Sequence, residues 1–157
     1  MSQNRGKNFE LKLRTDLKKC FPNSFIFRLN DQLTGYKVTS QNPCDFILFT
    51  HGKLFLLEAK SHSGASLPFS CITQYERLLQ YENIPNLYRG VVLWLPEKDI
   101  VMYIPITTIT KMKKDGKKSV GLKAIEEGYN IKIIPSIKKR IYLDSDYSCL
   151  VNLHDGE

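Results

Sequence analysis

The sequence is short of acidic residues, of paired cysteines and of long apolar runs, and each shortage narrows what the chain can be. Its 157 residues hold 16 Asp and Glu against 23 Lys and Arg, a net charge of +7 and a pI near 9.2. A surplus of that sign points to a polyanionic partner, nucleic acid first among them. The four cysteines, Cys20, Cys44, Cys71 and Cys149, are widely spaced and form no CxxC pair, which removes the usual zinc-binding spacings. No apolar run approaches the about 18 residues of a membrane-spanning helix, and the polar N-terminus has nothing of a signal peptide. The expectation is a cytoplasmic protein with reduced thiols and no membrane partner. No internal repeat and no clear linker divide the chain, so residues 1–157 read as one domain, long enough for a real core.

What is present alternates between helical and strand periodicity. Phe9, Leu13, Leu17 and Phe21 recur every four residues and predict a helix over 3–21, stopped by Pro22. Residues 25–29 alternate like a strand, and 30–42 are polar, a loop. A second helix is predicted over 72–82, with Ile72, Tyr75, Leu78 and Leu79 on its apolar face. Residues 90–95 and 100–104 read as strands. The stretch from 106 to 128 starts helical, passes through a basic loop at 113–118 and ends in a short helix capped by Gly128. Residues 129–134 suggest one more strand, and Lys138, Lys139 and Arg140 put three cations in the tail. The order predicts an α/β fold, a central mixed β-sheet flanked by helices.

The centre of the chain is the stretch from Asp45 to Lys60. Two apolar runs, 46–49 and 54–57, flank His51-Gly52, which predicts a β-hairpin with a two-residue loop. In that register Thr50 pairs with Lys53, and counting outward sets Asp45 opposite Glu58. Opposed residues point to one face about 5 Å apart, and two like charges there cost up to roughly 1 kcal/mol. Lys60 falls on the same face. A divalent cation would relieve the repulsion, and Mg²⁺ commonly takes one or two carboxylates with water completing its shell. The Ala59 carbonyl and the Gln74 amide are further candidate oxygens. The plainer alternative is a salt-bridged sheet end. Cys44 reads as a small packed residue rather than a nucleophile.

These residues resemble the PD-(D/E)xK nuclease superfamily, with its Asp, a spacer of hairpin length, and Glu-x-Lys. Closer still is a resemblance to the RecU-type Holliday junction resolvases and their phage relatives. It is carried by Asn4, Arg5, Gly6 and Lys7 with Glu10, by Asp45 with Glu58, Ala59 and Lys60, by Ser66, Leu67 and Pro68, and by Gln74. Those positions span roughly the first half of the chain; beyond them the match is one of style. The resemblance implies a restriction-endonuclease-like core and a cytoplasmic homodimer, in a bacterium or a phage-infected host, that cuts four-way DNA junctions by symmetric paired nicks. It implies Mg²⁺, with Mn²⁺ as substitute, held by Asp45, Glu58 and Gln74. Lys60 is then the transition-state stabiliser and Glu10 an additional catalytic carboxylate. Two departures stand out. Pro43 occupies a position where the family often has a metal-contacting Thr, and the 30–42 stretch is short for the family's protruding stalk.

For DNA contact the candidates are Arg5, Lys7, Arg28, Lys37 and His62, because backbone recognition needs charge more than sequence-specific geometry. Lys111, Lys113, Lys114, Lys117 and Lys118 form a possible second patch, and Tyr36 could stack on an opened base. Two other readings stay open: a nuclease of the same fold acting on ordinary duplex, and a non-catalytic DNA-binding protein.

Overall fold

The computed structural model describes residues 2–29, 42–154 and 157. Lys37 and Tyr36 lie outside the described residues. The first helix, α1, runs Ser2–Cys20, and its stripe is buried as its spacing demands: Phe9 and Phe21 are 4% exposed, Leu13 and Leu17 0%. The stripe packs on one face of a six-stranded mixed sheet.

The strands of that sheet are β1 (Phe25–Arg28), β2 (Phe46–Thr50), β3 (Lys53–Ser61), β5 (Leu87–Leu95), β6 (Ile100–Pro105) and β8 (Lys132–Ile134), in the order β1-β2-β3-β5-β6-β8. All neighbours are antiparallel except β3 and β5. The β3–β5 connection is the crossover a parallel pair requires. It carries β4 (Ser66–Pro68), a 3₁₀ turn at Phe69–Cys71 and the short helix α2 (Tyr75–Leu79). Helix α3 (Ile106–Lys114) follows β6; β7 (Ser119–Gly121) then pairs with β4, and α4 (Leu122–Glu126) follows directly. Two hydrophobic cores lie on opposite faces of the sheet. Phe46, Leu57, Trp94 and Tyr103 meet α1, whereas Leu56, Val91, Leu93 and Ile104 pack with residues of α2 and α3. No described helix is long and apolar enough to cross a membrane.

The structure departs from the pattern-based reading in several places. The helix expected over 72–82 is reduced to five residues: Ile72 (φ −92°, ψ 80°) is not helical, so its buried side chain enters the core from a connecting residue. Strand β5 begins at Leu87 rather than Gly90, because Arg89, which breaks the apolar run, is buried and donates to the Leu78 carbonyl at 2.7 Å. The last strand of the main sheet covers only Lys132–Ile134 of the expected 129–134. The basic tail is itself a hairpin, β9 (Ser136–Lys138) with β10 (Leu143–Ser145), followed by a 3₁₀ segment at Tyr147–Asn152. Gly128, with φ +88°, terminates α4 as expected.

Candidate active site

The central hairpin has the register counted from its sequence: Thr50 faces Lys53 and Phe46 faces Leu57. His51 and Gly52 make the turn at φ 52° and 71°, the left-handed conformation that a tight hairpin loop needs. One residue beyond the last strand pair, the Asp45 N–H donates to the Leu57 carbonyl at 3.0 Å, and the Leu29 N–H donates to the Asp45 carbonyl at 2.8 Å. Asp45 is thereby fixed between the ends of β1 and β3. Its side chain is held as well, since the Ala59 N–H donates to Oδ2 at 2.8 Å. That bond aims the carboxylate at the β3 residues on either side of Ala59.

Glu58 is 0% exposed, in the centre of the sheet between β2 and β5. The Lys60 ammonium lies 3.0 Å from Glu58 Oε1. The contact is an ion pair without good hydrogen-bond direction, and neither Glu58 oxygen has a well-aimed donor. Burial pushes the Glu58 carboxyl up to about 8, the adjacent Asp45 charge pushes in the same direction, and Lys60 offsets only part of this. The Cys44 thiol is raised to about 12, by burial first and then by the same two carboxylates. It is 1% exposed and is not an available nucleophile.

A buried carboxylate with no directed donor, beside a second carboxylate whose position is fixed, fits a divalent cation. No group of three His, Cys, Asp or Glu side chains able to hold a metal exists among the described residues. The chain therefore offers two carboxylates, the number Mg²⁺ commonly accepts when water fills its remaining positions.

The other sequence candidates divide. Arg5, at the start of α1, donates to Ser63 Oγ at 2.9 Å, which brings the helix N-terminus to the loop that follows Lys60. His62 lies in that loop, its N–H donating to the Trp94 carbonyl at 3.1 Å. Lys7 is exposed one residue before Asn8 on the same helix end. Glu10 and Arg28 form an ion pair with each other, both half-buried. Arg28 faces away from Glu58, since it pairs across the ladder with Phe46 of the α1-side core. Gln74 precedes the first residue of α2, and its amide oxygen accepts from Thr73 Oγ1 at 2.5 Å. No hydrogen bond among the described residues joins Gln74 to Asp45 or Glu58.

Pattern reading missed how the basic loop is placed. Strand β7 pairs with β4, directly after the loop that follows β3, and the Phe69 N–H donates to the Lys118 carbonyl at 3.0 Å. Lys117, Lys118 and Lys123 consequently line a cleft of about 340 Å³ with Ala65 and Ser66. Arg77 was also missed; it donates to the Asn42 carbonyl at 3.0 Å, fixing the chain three residues before Asp45. Three-residue strands carry too little periodicity to announce this pairing.

No family model matches the chain, and no curated protein matches it by sequence. Among solved structures it is similar to Hjc, a Holliday junction resolvase from the archaeal hyperthermophile Archaeoglobus fulgidus. The TM-score is 0.57 at 19% sequence identity, and the match covers 80% of this chain and 95% of that one. The similarity is one of fold: a mixed sheet flanked by helices, the restriction-endonuclease-like arrangement.

Proposed function

We propose that the chain is a metal-dependent endodeoxyribonuclease that resolves four-way DNA junctions by paired nicks, acting as a homodimer. The observation that carries this reading is the buried Glu58 at the open end of the hairpin, with half-buried Asp45 and Lys60 beside it. The fold shared with Hjc supports it. Within the nuclease superfamily the RecU-type branch is favoured by Asn4 to Lys7, Glu10 and Gln74 in the order given above.

Asp45 and Glu58 would hold Mg²⁺ or Mn²⁺, with Gln74 as a further oxygen after a change of its side-chain rotamer. Such an ion, when bound, supplies an activated water and a charge that neutralises the attacked phosphate. The chain's own residues do the rest. The Ala59 N–H orients Asp45, and the buried walls around Glu58 keep the field strong. Lys60, 26% exposed at the rim, presents a fixed cation to the negative charge that builds on the phosphate oxygens. Arg5, Lys7 and His62 flank the strand that enters, Arg28 tightens the end of β1, and Lys37 is a further proposed contact. A junction has two strands to cut, so two copies of this single site are required.

The test is incubation of the purified protein with a labelled four-way junction and a matched duplex, with and without Mg²⁺. Mg²⁺-dependent cutting of the junction alone is expected, and Asp45→Asn should abolish it while junction binding persists. Equal cutting of both substrates would leave a general duplex nuclease. Tight binding without cutting would leave a DNA-binding protein without catalysis.

A further inference from the structure

The C-terminal hairpin is built like a rigid probe. Register pairs Lys138 with Leu143, and the Lys139 N–H donates to the Tyr142 carbonyl at 2.8 Å, so Arg140 and Ile141 alone form the tip. The stem is well held. Leu143 is buried in the core under α1, Tyr142 packs against Trp94 with centroids 6.0 Å apart, and Lys138 pairs with Asp99 at 2.7 Å. The tip is not held. Arg140 is exposed and has no ion-pair partner among the described residues, and Ile141 is 71% exposed, the highest of the exposed large apolar side chains. A fixed stem presenting a free guanidinium and a bare isoleucine has no purpose in the packing of this chain.

Position supplies the purpose. Strands β3 and β5 are parallel, so the end of β3 that carries Lys60 lies beside Leu93 and Trp94. Strand β8 runs antiparallel to β6 and leaves the sheet at that same end, after Ile134. It is the third strand from β3, which at about 4.8 Å per strand sets it about 14 Å from the catalytic strand. The hairpin is rooted there, and the Lys138–Asp99 ion pair ties its stem to the β5–β6 turn at the same end of the sheet. Helix α1 links the two regions: Arg5 at its start reaches the loop after Lys60 through Ser63, and Asn8 and Leu11 border a cleft shared with Tyr142 of the hairpin.

We propose that the Lys139-Arg140-Ile141 tip is a DNA clamp. It grips the phosphate backbone beside the strand being cut, with Arg140 on one phosphate, Lys139 exchanging its 3.8 Å contact with Asp144 for another, and Ile141 against the sugar edge. The proposal rests on the DNA-directed reading of the site and names a surface of that function which the sequence pattern did not reveal.

The experiment measures binding of labelled four-way junction and duplex by fluorescence anisotropy, in EDTA, from 50 to about 300 mM salt. Three proteins are compared: wild type, Lys139→Ala/Arg140→Ala, and Lys18→Ala/Lys19→Ala. The last loses the same charge at the opposite end of α1. The tip variant is expected to bind about tenfold more weakly at 0.1 M salt and to lower the slope of log K against log salt by between about 1 and 2. The Lys18/Lys19 variant should keep the slope. Ile141→Ser should weaken binding with the slope unchanged. If wild type binds and the two charge variants behave alike, the clamp is wrong and the DNA reading stands. If wild type binds neither substrate, both fall.

Discussion

Glu58→Gln should change the shape of the stability curve with pH, not merely its height. In the metal-free protein the Glu58 carboxyl is displaced from 4.5 to about 8, chiefly by burial. A folded-state pKa above the unfolded one means the unfolded chain releases this proton first. The contribution of Glu58 to stability is therefore full below about pH 4.5, falls as pH rises, and is gone above about 8. Each unit is worth about 1.4 kcal/mol, so the loss is on the order of 3 kcal/mol by pH 7 and 4–5 kcal/mol at the plateau. Glutamine does not ionise, and its buried amide carries a penalty of about 1–3 kcal/mol at every pH. The variant should thus be the less stable protein at pH 5 and should equal or exceed wild type at pH 9. Urea unfolding in EDTA, followed through Trp94, the single and 6% exposed tryptophan, measures the difference at each pH. Every group but residue 58 is common to the two proteins and cancels in the difference. Adding Mg²⁺ at pH 8 should restore wild type and leave Glu58→Gln unmoved. Parallel curves for the two proteins would refute the claim that Glu58 is a buried, uncompensated acid.

Three further outcomes are expected. Gly121→Ala should cost about 1–3 kcal/mol by overpacking and reduce junction cutting, because a Cβ there would meet the Ala65 carbonyl at 2.1 Å and push β7, with Lys118 before it, off the loop that follows β3; chemical denaturation and a cleavage assay read the two effects. Leu17→Ala, at a fully buried position between α1 and the sheet, should cost about 2–5 kcal/mol by thermal melting, with cleavage at low temperature retained. Lys60→Met should eliminate cutting while DNA binding persists, and in EDTA should steepen the pH loss of stability, since the cation lowering the Glu58 pKa is gone.

Much of the centre was legible because its signals were local. A two-residue turn with apolar runs on both sides fixes the register of 46–50 against 53–57; just beyond it the Asp45 N–H bonds the Leu57 carbonyl, out of step with that register, yet Asp45 and Lys60 both lie beside Glu58. The stripe of α1 was equally plain. Arg89 shows why the rest was harder: a buried cation satisfied by the end of α2 looks, in sequence, like the end of a strand. The β4–β7 pair joins residues some fifty positions apart through three-residue strands, and the β9–β10 hairpin reads as a string of charges. For Glu10 and Arg28 the residue types were visible, but their mutual ion pair depends on helix α1 lying over β1.

The same long-range pairings account for where the charge sits. The strand directions bring one end of the sheet together with the start of α1, the loop after Lys60 and the tip of the C-terminal hairpin. Pairing of β7 with β4 adds Lys118 at that end, and Lys117, which pairs with Glu127 at 2.6 Å. By contrast Lys53, near the turn at the other end, is used internally, donating to the Val151 and Leu153 carbonyls. A net positive charge spread evenly would attract DNA in any orientation. Under the proposed function, the cations at this end of the sheet would steer the phosphate backbone toward the pair of acids that would otherwise repel it. The divalent cation proposed above would reconcile long-range attraction by the rim with local repulsion by the pair.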